Sequence, residues 1–265
     1  MRKRFVTARI FMPDPVATST SDPSSNRDKH PVPLPELPDD FSGAQAQALT
    51  AVQAALEAGY NRLQVEILAP DLKPDVLAYP FHQVFGAPFG FAFADAGAAA
   101  LAKYRWEQPD WMVCGIREAG EIDDTVPLIF SMPTLVEIEA VEQLCDRRNS
   151  NVSTNKSLDI PVLVINPILQ DTGTAGVGLS GRRLRERFIS TLEPCYFLQS
   201  LGSGALFRMF PHPWTVWELT EAGQYQILAT LDSKPSGEQL AQLFAGDEPE
   251  SIWSGLKRFI RALQN

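Results

Sequence analysis

The stretch LIFSMPTLVEIEAVEQLCDR, residues 128–147, followed by VLVI at 162–165, decides the fold. Leu128 to Met132 is an apolar run rich in strand formers, and Pro133 ends it. Thr134 stands where a helix needs an N-cap, with Glu137 three residues on, the spacing of a capping box. Leu135, Ile138, Val141 and Cys145 recur along one face, which predicts a helix over 134–147. Val162 to Ile165 is apolar without alternation, as in a parallel strand covered on both sides. Strand, amphipathic helix and buried strand make the repeating unit of a layered α/β sheet.

The same alternation extends upstream. Leu63 to Leu68, Phe89 to Phe93 and Met112 to Ile116 read as strands, and Ala96 to Tyr104 as an Ala-rich helix. Phe41 to Glu57 reads as a helix with Ser42 as N-cap, with Leu49, Val52, Ala55 and Leu56 at helical spacing and a stop at Gly59. Downstream, a helix is expected over 180–192, and the pattern then changes at Glu193. Cys195 to Leu201, Ala205 to Phe210, Thr215 to Leu219 and Tyr225 to Leu231 are short strands separated by Gly and Pro turns, an antiparallel meander. Helices are expected at 237–244 and 251–263; Ile252, Leu256, Phe259, Ile260 and Leu263 stripe the last, as in a helix docked on the domain. Residues 13–40 hold seven prolines among Ser, Asp and Asn, a composition that buries little apolar area. The expected fold is therefore a mostly parallel α/β sheet with helices on both faces, extended by the meander and closed by C-terminal helices. Residues 1–40 form a flexible Pro-rich segment and 41–265 a single domain.

Composition bounds the function. The chain has 265 residues, 45% hydrophobic and 21% charged, which excludes disorder over most of its length. Asp plus Glu number 32 against 23 Lys plus Arg, and a net charge of -9 argues against nucleic acid or anionic lipid as a general partner. Cys114, Cys145 and Cys195 are too few and too far apart for a disulfide framework or a CxxC knuckle, so a reducing, cytoplasmic compartment is expected. The longest apolar stretch, Pro88 to Ala102, contains Asp95 and is too short to cross a bilayer.

GVGLSG at 176–181, followed by RRLRER, is formally GxGxxG opening a helix. A dinucleotide fingerprint comes directly off a strand, whereas Pro167 to Ala175 intervene here, and no acidic residue ends the following strand. A phosphate loop fails too, because Arg182 and Arg183 replace Lys and Ser or Thr. No cofactor is expected. What survives is an anion site, in which Gly176 and Gly178 supply backbone N–H groups and Arg182 and Arg185 supply guanidinium forks; the alternative is a turn with a solvated Arg face. Leu184, Phe188 and Leu192 set the buried face of that helix, and helical phase draws Arg185 towards it, so a carboxylate partner is expected, Glu66 or Asp95.

Open parallel sheets bind ligands at the carboxyl ends of their strands, here Asp95, Ser131 and Asn166. Each also has a structural reading, as an N-cap or a turn residue. His30, His82 and His212 are scattered, and HExxH, CxxC and GxSxG are missing, so neither a metal site nor a catalytic residue is assigned. Trp214 and Trp217, with Phe207, Phe210 and Tyr225, make an aromatic cluster that is either core or an interaction patch.

Several longer stretches carry a resemblance: AVQAALEAGYNRLQVEI at 51–67, FADAGAAALAKYRW at 93–106, VEIEAVEQLC at 136–145, INPIL at 165–169, GVGLSGRRLRERFISTLEPCYFLQ at 176–199 and GALFRMFPHPWTVW at 204–217. Over about residues 43 to 245 the chain resembles a domain family of unknown biochemical activity from cyanobacteria and plastids. In plants that family is appended to some chloroplast adenylate kinases and occurs in a chloroplast factor needed for photosystem II accumulation. The turn Phe93-Ala94-Asp95 departs by one residue from the family's usual pattern. The resemblance implies a non-catalytic auxiliary factor that assembles or maintains the photosynthetic apparatus by contacting thylakoid membrane proteins or their assembly factors. Membrane contact would then be at most peripheral, on the stromal side in a plastid. The competing reading is an α/β domain, enzymatic or not, that binds a phosphorylated or carboxylated metabolite at the strand-end cleft.

Overall fold

The structure, a computed structural model, describes residues 33–151, 160–169 and 179–245. The described residues from Pro35 onward belong to one compact unit. Its strands are β1 (Arg62–Leu68), β2 (Gly90–Phe93), β3 (Met112–Gly115), β4 (Leu128–Ser131), β5 (Val162–Ile165), β6 (Glu193–Leu201), β7 (Gly204–Met209), β8 (Trp214–Leu219) and β9 (Tyr225–Leu231). Its helices are α1 (Phe41–Glu57), α2 (Pro74–Ala78), α3 (Ala96–Arg105), α4 (Leu135–Asn151), α5 (Leu179–Arg187) and α6 (Gly237–Ala245), with short 3-10 turns at Tyr79–Gln83, Glu118–Glu121 and Ile189–Thr191. The strands join one sheet in the order β3-β2-β4-β5-β1-β6-β7-β8-β9. Every pair from β3 to β6 is parallel, and every pair from β6 to β9 is antiparallel. β6 is thus the strand at which the sheet changes character, where the sequence pattern changes.

Register explains why the parallel strands read as unbroken apolar runs. Phe91, Ile129, Leu163 and Leu63 stand abreast across β2, β4, β5 and β1. All four enter a front core with Ala48, Val52 and Ala55 of α1, Leu77 of α2 and Ala102 of α3. The next row, Ala92, Phe130, Val164 and Gln64, points to the back; its first three members pack with Ile138, Val141 and Leu144 of α4 and Leu184 of α5. Both faces of each strand are buried, so alternation disappears. A third core lies behind the meander, where Phe197, Leu206, Trp214 and Val216 meet Leu240 of α6.

The ends of the elements follow local chemistry. Asp40, not Ser42, caps α1: its carboxylate accepts from the Gly43 amide at 2.7 Å, while the Ser42 hydroxyl donates to the same oxygen at 2.8 Å. Ser42 already lies inside the first turn, so its hydroxyl serves the cap. Asp95 caps α3 through the Ala98 amide at 2.8 Å. At α4, Glu137 reaches back to the Thr134 amide at 3.2 Å and accepts from the Thr134 hydroxyl, closing the capping box. The helix expected at 251–263 lies outside the described residues. Among those residues no helix is long and apolar enough to cross a membrane.

Candidate functional site

Because β2, β4 and β5 are neighbours, the sheet brings Asp95, Ser131 and Asn166 to one carboxyl edge. Each side chain is committed to the fold. Asp95 holds the first turn of α3. Ser131 is fully buried in the front core, and its hydroxyl donates to the Pro74 carbonyl at 3.1 Å, because α2 lies across the end of β4. Asn166 has a positive φ of 46°, and its amide spans β1: Nδ2 donates to the Ile67 carbonyl and Oδ1 accepts from the Ile67 amide, both at 2.7 Å. A side chain there extends the ladder one step past the end of β5. α2 is itself anchored by Asp75, buried, which accepts two bonds from the Arg105 guanidinium at 2.8 and 2.9 Å. The short helix, with no side-chain cap and only five residues, carries no periodic signal, and sequence reading passes over it.

A groove of about 580 Å³ opens further along the same edge, at the ends of β1 and β6. Ile67 and Leu68 of β1, Leu198 of β6, Ala205 of β7, Trp217 of β8 and Tyr225 of β9 form its sheet side. A strap at Glu36–Asp39 forms the other wall. Gln47 of α1 fastens that strap: Nε2 donates to the Glu36 carbonyl at 3.0 Å, and Oε1 accepts from the buried Tyr196 hydroxyl at 2.9 Å. Leu37 packs on the front core. The charged lining is wholly acidic, Glu36 and Asp39. The strap sits in the Pro-rich stretch, whose composition hides a wall that only packing on α1 creates.

The meander aromatics do not form one cluster. Successive strand residues face opposite sides, so Trp217 and Phe207 lie in the front core, with Phe210 against it, while Trp214 lies in the core behind. Trp214 and Trp217 are 3% and 8% exposed. Trp217 Nε1 donates to the Thr215 hydroxyl at 2.8 Å, which satisfies its polar edge. The exposed apolar groups of the meander are instead Leu219, Tyr225 and Ile227, each more than two-fifths exposed.

Gly176 and Gly178 lie outside the described residues, as does the side chain of Arg182. Arg185 corrects the helical-phase expectation: it is exposed. Leu184 and Phe188 are buried 4 residues apart, but α5 ends at Arg187, and Ile189 is buried from a 3-10 turn. The apolar arc is therefore narrower than a helix continued to 192 implies, and Arg185 falls outside it. Glu66 and Asp95, the expected partners, are engaged elsewhere. Glu66 accepts from Gln64 Nε2 at 2.7 Å and pairs with Lys234 at 3.5 Å. Arg187 pairs with Glu142 of α4, its Nε at 2.6 Å from Oε1.

The three thiols are unsuited to nucleophilic chemistry. Burial pushes Cys114 and Cys145 up to about 11 and Cys195 up to about 12, so none is a thiolate at neutral pH. Among the described residues no three His, Cys, Asp or Glu side chains stand close enough to hold a metal. No solved structure matches the chain. A family does match, over residues 38–242, from the groove strap to α6. On that match across most of its length, the chain belongs to the family described as a domain of unknown function (DUF1995).

Proposed function

We propose that this protein is a non-catalytic auxiliary factor for assembly or maintenance of the photosynthetic apparatus, photosystem II in particular, and that it acts by holding an extended segment of a partner protein. The observation that carries the interaction reading is the edge at β9. Among the described residues nothing pairs beyond β9, and its sequence YQILATL contains no charge and no Pro. Natural edge strands are usually guarded by such residues, and an unguarded one invites strand addition. Tyr225, Ile227 and Leu219 add apolar surface beside it, and the groove continues from Tyr225 towards the strap. The acidic groove lining favours a partner segment with apolar and basic residues. The commitment of Asp95, Ser131 and Asn166 to structural bonds supports this reading over a metabolite at those strand ends. The photosynthetic assignment rests on the family resemblance, which also favours peripheral, stromal-side contact with thylakoid proteins.

The test is tagged full-length protein, wild type and Tyr225→Lys/Ile227→Lys, recovered from solubilised thylakoids after photocrosslinking from position 219. Wild type should recover photosystem II proteins or their assembly factors, and the double variant at least tenfold less at unchanged melting temperature. Equal recovery by both proteins overturns the site, and recovery of no photosystem component overturns the role. A crosslinked dimer of this chain as the sole product makes a second copy the occupant and equally overturns the proposal.

A further inference from the structure

We infer that the cleft between α1, α2 and the end of α3 binds a small zwitterion with an aromatic side chain, a free aromatic α-amino acid. The cleft shares no lining residue with the groove proposed for the partner, so the two readings stand or fall separately.

The site grows from Arg105-Trp106-Glu107, where α3 ends. The Trp106 amide still donates to the Ala102 carbonyl at 2.9 Å, but Glu107 and Gln108 take left-handed φ values of 56° and 57°, which non-glycine residues adopt rarely. The chain turns there, and all three residues line one open cleft of about 620 Å³, a size that suits a small metabolite. Gln45 of α1, Val76 of α2 and Tyr79 of the following 3-10 turn form the facing wall.

Each wall offers a different group in a fixed place. Arg105 spends a single nitrogen, Nη1, on both oxygens of the buried Asp75, at 2.8 and 2.9 Å. Its Nε and Nη2 donate to no acceptor among the described residues, and the side chain is 38% exposed. One edge of a guanidinium already oriented by Asp75 is therefore left for a carboxylate. The Trp106 ring is held edge-on to Phe91 at 4.9 Å, and Tyr79 lies 5.5 Å from Trp106 and 4.8 Å from His82. Tyr79 is nonetheless 42% exposed, which leaves aromatic surface for a flat apolar group. Glu107 is exposed and enters no ion pair among the described residues. Gln45 donates from Nε2 to the Val76 carbonyl at 2.9 Å and keeps its Oε1. Both Glu107 and Gln45 thus offer acceptors to an ammonium.

Charge selects between ligand classes. Asp75 and Arg105 cancel, so Glu107 leaves the cleft acidic, and a plain anion is repelled. A plain cation leaves the open Arg105 edge without an acceptor. A neutral molecule that carries both signs satisfies both groups, and the aromatic wall favours a ring as its side chain.

The test is the intrinsic tryptophan fluorescence of full-length protein, titrated with L-phenylalanine, 3-phenylpropanoate and phenethylamine, the last two each lacking one charge. L-phenylalanine should give a saturable change, because Trp106 lines the cleft, and each of the other two should bind at least about tenfold more weakly. R105K and Y79A should each weaken L-phenylalanine binding by about tenfold or more. E107Q should weaken L-phenylalanine while tightening 3-phenylpropanoate, a split that general damage to the fold does not produce. Tyr225→Lys, at the partner surface, should bind as wild type. No saturable wild-type response up to about 10 mM L-phenylalanine, equal binding of the three compounds, or wild-type affinity in both Y79A and E107Q overturns the site. Should R105K lose α2, Y79A and E107Q, altered only at exposed side chains, decide the question alone.

Discussion

Asn166 replaces a strand residue with a side chain. Its amide makes both hydrogen bonds that a further residue of β5 would make to Ile67, at the left-handed φ of 46° that Asn tolerates better than most residues. Asn166→Ala leaves the buried Ile67 amide and carbonyl without partners and keeps the strained backbone. It should destabilise the fold by about 3 kcal/mol, read from the denaturant midpoint. Gly204 is determined by contact instead: a Cβ there would stand 1.8 Å from the Trp217 carbonyl oxygen across the β7–β8 pair. Gly204→Ala must push the strands apart, at a cost of about 2 kcal/mol, and should shift the fluorescence of the buried Trp217, which lines the groove. Sequence reading placed Asn166 at the right edge because Asn-Pro follows a strand. It could not place its amide on β1, a partner 99 positions away in the chain.

Elements with long periodic signals were legible, and those made by tertiary contact were not. α1 and α4 declare themselves by stripes of apolar residues, α4 also by its capping box, and β1 and β5 by their β-formers, whereas the α1 cap falls on Asp40 rather than on Ser42. α2 exists because Asp75 is buried against Arg105 and Leu77 in the front core, contacts that composition cannot show. The cap of α1 carries a pH prediction. Hydrogen bonds from the Gly43 amide and Ser42 hydroxyl lower the Asp40 pKa below its ordinary 3.8. A carboxylate whose folded pKa is depressed stabilises above the unfolded value, and that contribution disappears as pH falls through the folded pKa. Asp40→Ala should therefore lower the melting temperature at pH 6, and the gap to wild type should narrow below about pH 4. A gap that stays constant down to pH 2.5 would remove the carboxylate from the cap.

At the scale of the molecule, one sheet separates a front core from two cores behind it. Phe130 is fully buried in the back core under α4, and Phe130→Ala should cost about 4 kcal/mol with an unchanged denaturant slope. Ile227→Lys, on the exposed β9, should change stability by less than about 0.5 kcal/mol, since charge on an edge strand is tolerated. By itself the sequence determined the class of the fold, the change from parallel to antiparallel strands at Glu193, and the carboxyl edge that carries Asp95, Ser131 and Asn166. Those are consequences of local periodicity and of turn residues, which act over a few positions. The tertiary structure alone decided that α2 lies over β4, that a strap from the Pro-rich stretch walls a groove at β1 and β6, and that Trp214 and Trp217 occupy opposite faces. It also decided that Arg185 turns to solvent. Each depends on which distant segments the sheet order makes neighbours, and strand order is set by the summed burial of both faces rather than by any one stretch of residues.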